Sequence, residues 1–177
     1  MELALDVAKL VDKVRKRGTP PGEQDFNDVA LLLSVGFKIR REEVAFLRLS
    51  ADSKMLNFLI PSKLAKVGAI PLTSSHSLAT KTMREKRGEI MNNFRAFKHL
   101  TIFESVDLSA EEKAAPIQKI MSSPMVSEGK ILGVIQVCRK LRPGQAEGPD
   151  FVEEDLKQLN MVGMILGKLL AEFPAPR

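Results

Sequence analysis

The sequence predicts an α+β protein in which one sheet is flanked by helices, and three observations carry that reading. Apolar residues recur at helical spacing near both ends of the chain, over Leu3–Val14 and over Leu159–Phe173. Two short apolar runs, Val44–Leu49 and Met55–Ile60, are joined by Ser50-Ala51-Asp52-Ser53-Lys54, the pattern of an antiparallel hairpin. A third run, Ile131–Cys138, is apolar on both faces, as a strand covered by a layer on each side must be. One layer then holds the terminal helices, and the other holds the elements between the hairpin and the last two strands.

The elements follow in order. Leu3, Val7, Leu10 and Val14 form one stripe of a first helix, with Lys9, Lys13, Lys16 and Arg17 largely off it. Gly18-Thr19-Pro20-Pro21-Gly22 ends that helix. A second helix is predicted from Gln24 to Phe37, with Asp25 near its start and Val29, Leu32, Leu33 and Val35 as its apolar positions. In the hairpin, Leu56, Phe58 and Ile60 are expected to share one face. Ser62–Val67 reads as a short helix or turn, and Ser77–Arg87 as a helix capped by the preceding serines and stopped by Gly88. A brief strand at Glu89–Met91 and a helical piece at Ala110–Ala115 follow. Ile117–Val126 is a strand with a bend expected at Pro124, which has no N–H to give to a ladder. The last helix runs from Phe151 to Phe173, its acidic start Glu153-Glu154-Asp155 favoured by the helix dipole. Along it Leu159, Val162, Leu166, Leu169 and Phe173 make a three-four seam, and Gly163 and Gly167 mark a place of close packing.

Length and composition narrow the role. A chain of 177 residues suits one domain with its own core. With no Trp or Tyr, any aromatic wall must be built from Phe. Cys138 is the only cysteine, which excludes an internal disulfide and fits a reducing compartment. The first residues carry Glu2 and Asp6 and no apolar run, unlike a secretory signal, and Met161–Phe173 is too short, and broken by Lys168, to span a bilayer. A cytoplasmic protein with no membrane partner is expected. The net charge of +5 is gathered in Lys9–Arg17 and Lys81–Lys98, between acidic stretches around Glu104–Glu112 and Glu147–Asp155. Without zinc-finger or helix-turn-helix spacing these are solvated faces, and no nucleic-acid partner is expected. His76 and His99 each stand alone, so no metal site is expected. Ser74-Ser75-His76 lacks the glycines of a nucleophile elbow, and no catalytic residue is assigned.

Ser123-Pro124-Met125, followed by Gly129–Val137 (GKILGVIQV) and then by Phe151-Val-Glu-Glu-Asp155-Leu before a long helix, resembles the GAF domain family of small-molecule sensors. The likeness in element order spans Glu23 to Leu170. It implies a PAS-related, mostly antiparallel sheet of five to six strands, with terminal helices on one face and crossover helices and loops on the other. Residues 1–22 are then an N-terminal helix and linker, 23–173 the domain and 174–177 a tail. Gly133 in this signature permits close approach of a neighbour. Of the signature carried by cyclic-nucleotide-binding members, Lys140, Phe151 and Asp155 match, while Arg139 stands for Asn and Leu156 for Glu. The family's structural Lys–Asp salt bridge is carried over to Lys140 and Asp155; a cyclic-nucleotide ligand is not.

By position in the family, a ligand pocket between the sheet and the crossover falls on Thr73, Ser75, His76, Asn92, Asn93, Phe94, Arg95 and Phe97, with Ser122 or Ser123 from the strand. The ligand itself is not identified and no cofactor is expected. GAF-like methionine sulfoxide reductases use several cysteines, and bilin-binding members attach their chromophore through a cysteine on another element; neither pattern is met here. The expected function is that of a stand-alone sensory or regulatory domain, not an enzyme. It binds a small molecule and signals to a protein partner or a second copy through its terminal helices. A homodimer through Leu3, Val7, Leu10, Val14, Leu159, Val162, Leu166 and Leu169 is expected. Two alternatives remain: a ligand-free GAF-derived interaction module, and the effector-binding part of a transcription regulator, for which no DNA-reading helix pair precedes the domain.

Overall fold

A computed structural model describes residues 2–66, 68–94 and 116–177. Helices α1 (Glu2–Arg17) and α2 (Glu23–Phe37) lead through a 3-10 turn (Arg41–Glu43) into strands β1 (Val44–Leu49) and β2 (Met55–Ile60). Then come α3 (Ser62–Ala65), β3 (Ala69–Pro71), α4 (Leu78–Glu85), β4 (Glu89–Met91), β5 (Ile117–Ser127), β6 (Lys130–Lys140) and α5 (Glu153–Glu172). Among the described residues, six strands form one sheet in the order β3-β2-β1-β6-β5-β4. Every neighbouring pair is antiparallel. The expected α+β fold with a doubly covered β6 is therefore what the chain adopts. Strand β3 was not foreseen, because Ala69-Ile70-Pro71 is too short to show a period. The Ala110–Ala115 piece lies outside the described residues.

Two separate apolar cores sandwich the sheet. On one face Val7, Val11 and Val14 of α1, Phe26, Val29 and Leu33 of α2, and Leu159, Val162 and Leu166 of α5 pack on Phe46, Met121, Met125, Ile135 and Val137. On the other, Leu78 and Ala79 of α4 pack with Leu47, Leu56, Phe58, Ile120, Val134 and Cys138. Burial of this kind stabilises by about 25 cal/mol for each Å² of apolar surface.

Three expectations need correction. Ile60 does not share a face with Leu56 and Phe58: Phe46 pairs with Ile60 but Leu47 with Phe58, so β2 carries one extra residue and its side chains change face there. Val35 is 71% exposed, and the buried stripe of α2 is Phe26, Val29, Ala30, Leu33 and Phe37. The seam residues offered as a dimer interface are spent inside the chain. Leu3, Val7, Val14, Leu159, Val162, Leu166 and Leu169 are buried and Leu10 half-buried, because α1, α2 and α5 form one layer on the sheet.

Helix α5 lies unusually close to the sheet, and its sequence permits it. A Cβ on Gly163 would sit 2.3 Å from the Pro124 carbonyl oxygen, and one on Gly167 would sit 2.1 Å from that of Val126. Gly133 admits β1 in the same way, since its Cβ would lie 2.2 Å from the Leu47 carbonyl oxygen. Pro124 stays in the strand, opposite Val134 of β6; β4 on its other side reaches only Ser122, and a register shift follows at Met125/Val126. At the far end of α5, the Arg48 guanidinium of β1 donates to the carbonyls of Leu170, at 3.2 Å, and Phe173, satisfying groups the helix leaves open. At its start, Asp155 accepts from the Val152 N–H at 2.8 Å.

Candidate functional site

The face opposite the terminal helices buries a connected set of polar side chains. Alternation along β5 sends Ile120 toward α4 and Met121 toward α5, so Ser122 and Ser123 part company. Ser123 Oγ donates to Asn160 Oδ1 of α5 at 2.6 Å, so it faces the terminal-helix layer and not the expected pocket; of the two serines, Ser122 is the one on the α4 face. Ser122 lies directly across from Gln136 of β6, which in turn pairs with Ala45 of β1. Above them Thr82 of α4 brings its hydroxyl to 2.6 Å from Ser122 Oγ.

These three side chains form a chain with a definite direction. Thr82 Oγ1 donates to the Leu78 carbonyl at 3.0 Å, which uses its only proton. Ser122 must then donate to Thr82, and Ser122 accepts from Gln136 Nε2 at 3.3 Å. The reverse direction would forfeit the bond to Leu78. Gln136 Oε1 is left as a buried acceptor with no partner among the described residues, and the residue is 1% exposed. Leaving such a group unsatisfied costs about 1–3 kcal/mol. The helix that carries Thr82 is well anchored. Ser77 Oγ caps it by accepting from Thr80 N at 3.4 Å, and Lys81 Nζ pairs with Glu89 of β4 at 2.6 Å. Thr80 Oγ1 donates to the Ser74 carbonyl at 2.8 Å, fixing the entry loop.

The other residues expected in a pocket have separate fates. Thr73, Ser75 and His76 are exposed on the β3–α4 connection, and Asn93 is exposed after β4. Asn92 is a structural clamp: its Nδ2 donates to the Phe151 carbonyl at 2.9 Å and its Oδ1 accepts from the Phe151 N–H at 2.8 Å. Phe94 is buried in the α4-side core, and Arg95, Phe97 and His99 lie outside the described residues. Arg139, the departure from the cyclic-nucleotide signature, lies 4.5 Å over the Phe151 ring and donates to the Phe37 carbonyl at 3.1 Å. It thereby ties the end of β6 to the chain leading into α5 and to the end of α2. Lys119, nearly buried, pairs with Asp150 and, at 3.3 Å, with Glu147; the hydrogen bond to Asp150 raises its pKa and holds the loop before α5.

Gln136 and Thr82 were missed in the sequence. The available signal was a glutamine in the otherwise apolar run Ile131–Cys138, at a position with a layer above and below. Cys138, two residues on and on the same face, is fully buried, and burial pushes its thiol up to about 12. It is a packed thiol and supplies no thiolate near neutral pH.

A cavity of about 240 Å³ opens elsewhere, between the start of α2, the 3-10 turn and the β2–α3 junction. Glu23, Asn27, Arg41, Glu42 and Lys63 are among its walls, and Glu42 is engaged by Arg142 at 2.7 Å. Among the described residues no three His, Cys, Asp or Glu side chains gather into a metal-binding group, and no helix is long and apolar enough to cross a membrane.

No protein-family model and no curated protein sequence matches the chain. Solved structures do. The GAF domain of a phosphoenolpyruvate-protein phosphotransferase from Coxiella burnetii aligns with a TM-score of 0.65 at 12% identity, covering 95% of this chain and 94% of that one. The A. aeolicus Nlh2 GAF domain in an inactive state aligns with a TM-score of 0.64 at 13% identity, over 96% and 94%. A free methionine-R-sulfoxide reductase from Neisseria meningitidis, in complex with its substrate, aligns with a TM-score of 0.65 at 15% identity, over 97% and 87%. With its β6-centred antiparallel sheet and terminal-helix layer matched over nearly the whole length, the chain has the GAF-domain fold.

Proposed function

We propose that this protein is a sensory or regulatory domain that binds a small molecule between its sheet and α4, and passes the bound state to a partner through its terminal helices. The observation that carries the reading is the asymmetry of the two faces. One is closed mainly by apolar packing, with glycines pressed on backbone and Ser123 paired to Asn160, while the other buries a directed polar chain ending in an acceptor with no partner among the described residues. Polar groups set in an apolar wall are what a small-molecule site requires. The reading assigns no thiol chemistry, because the only cysteine is a buried thiol whose pKa burial pushes up to about 12. Thermal-shift screening of the whole chain against cyclic nucleotides, amino acids and small metabolites tests it. A concentration-dependent rise in Tm is expected for a binder, and a uniform lack of response overturns the reading.

A second reading, self-association, is favoured by the large apolar side chains left outside. Leu5 of α1 and Met161 and Met164 of α5 are 56%, 43% and 54% exposed, although the seams beside them are buried. A homodimer would use these residues instead of the seams. Light scattering tests it: a dimer that Met164→Glu dissociates supports the reading, and a monomer at high concentration removes it.

A further inference from the structure

Three buried side-chain polar atoms lack a hydrogen-bond partner among the described residues: Gln136 Oε1, Arg139 Nε and Arg142 Nε. Both arginines use their other nitrogens, on the Phe37 carbonyl and on Glu42, at the end of β6. Only Gln136 lies between the sheet and α4, and its free atom is an acceptor by the direction of the chain it heads. Its nitrogen turns toward Ser122 on β5, so its oxygen diverges from that side, and its neighbour on β1 is Ala45, which offers no donor of its own.

We infer that Gln136 Oε1 is the recognition acceptor of the sheet–α4 site, and that the ligand meets it with an uncharged N–H or O–H donor, as an amide, a heterocyclic lactam or a hydroxyl does. The inference rests on the small-molecule reading above and narrows it to a chemical class. A donor is required because the open atom is a carbonyl oxygen. Absence of charge follows from the surroundings. The described neighbours are Ser122, Thr82, Ala45 and apolar side chains, and the nearest carboxylate on this row, Glu89, is held by Lys81 at 2.6 Å. A cation buried here would lose its hydration with no counter-charge among the described residues, and an anion would face a lone pair.

The same geometry says how occupancy is felt. A donor on Oε1 polarises the amide and strengthens the donation from Nε2, through Ser122 and Thr82, to the Leu78 carbonyl. Binding therefore tightens α4 on β5.

The test uses the whole chain, labelled with nitrogen-15, and four probes: benzamide, uracil and their fully N-methylated counterparts, N,N-dimethylbenzamide and 1,3-dimethyluracil. The Gln136 side-chain NH2 signal is identified by its loss in Gln136→Met. At least one donor-bearing probe is expected to shift that signal and raise Tm, its methylated counterpart to do neither, and Gln136→Met to weaken binding by about tenfold or more. Equal shifts from a probe and its methylated counterpart, or undiminished binding by Gln136→Met, overturn the inference. So does a Gln136 signal that no probe moves, the result of a site that holds only water. The methylated pair works in the unaltered protein, so the test survives a variant that fails to fold. A metabolite that stabilises the unaltered protein and Gln136→Met equally sinks this inference while leaving the sensor reading standing. A chain that no metabolite stabilises sinks the sensor reading itself.

Discussion

The two faces of the sheet are built on opposite principles. On the terminal-helix face, α5 approaches until its glycines meet the carbonyls of Pro124 and Val126, and most of what fills the layer is aliphatic. On the α4 face a short helix of eight residues covers part of the sheet, and a row of Ala45, Gln136, Ser122 and Glu89 crosses it at right angles to the strands. The first face pairs its buried Ser123 with Asn160, and Arg139 Nε, without a partner among the described residues, lies only at its edge, at the end of β6. The second carries at its centre an acceptor unsatisfied among the described residues, which a close-packed interior does not tolerate without reason. Under the proposed function, stability and recognition fall to different sides of one sheet, and a change on one side has a different signature from a change on the other.

That contrast is breakable, beginning with the largest effect. Leu159→Ala, in the fully buried centre of α5, is expected to cost about 4 kcal/mol in urea unfolding, because the close layer cannot collapse into the void. A loss under about 1 kcal/mol would show this layer to be loosely packed. Gly167→Ala adds a methyl 2.1 Å from a backbone oxygen that cannot swing aside, and is expected to cost about 3 kcal/mol. An unchanged unfolding midpoint would deny that α5 sits so close. On the other face, Thr82→Val keeps the shape but leaves the Ser122 hydroxyl without its acceptor, for a smaller loss of about 1–2 kcal/mol. A loss matching that of Leu159→Ala would make the polar chain a main support of the fold.

The smallest effect is one of pH. Below about 9 the Cys138 thiol is protonated in both the folded and the unfolded chain and adds no slope. Above it the unfolded chain gives up the proton while the buried thiol, pushed up to about 12, keeps it, so stability falls as pH rises through that window. Lys119, its pKa raised first by the hydrogen bond to Asp150, adds a loss of the same sign above the ordinary lysine range. Cys138→Ala is expected to remove the lower part of the alkaline slope in unfolding curves and leave the upper. The native thiol should also resist alkylation at pH 8; rapid modification would place Cys138 at an accessible site.

Much of the scaffold was legible in the residues. The double coverage of β6 was visible because both alternating faces of Ile131–Cys138 are apolar, and the close approach of α5 because two small residues recur at Gly163 and Gly167. The hairpin and both terminal helices announce themselves by period. The candidate site was much less legible. Choosing Ser122 over Ser123 depends on which face β5 turns to α4, and one residue of register reverses it. Asn92 has the side chain of a ligand contact, yet its two bonds go to the backbone of a residue far along the chain.

What the sequence determined by itself is therefore periodic and local: which stretches are helices or strands, which carry an apolar stripe, and where a missing Cβ lets something come near. Those properties follow from dihedral geometry repeated over a few residues, and no distant partner is needed to read them. Only the tertiary structure decided what each stripe meets. The seams Leu3–Val14 and Leu159–Leu169 face their own sheet and not a second copy, Ile60 changes side at an extra residue in β2, and Gln136 heads a chain that ends on Leu78. Each of these is set by contacts between residues far apart in sequence, where the same apolar or polar pattern is satisfied equally well by more than one neighbour until the chain has folded.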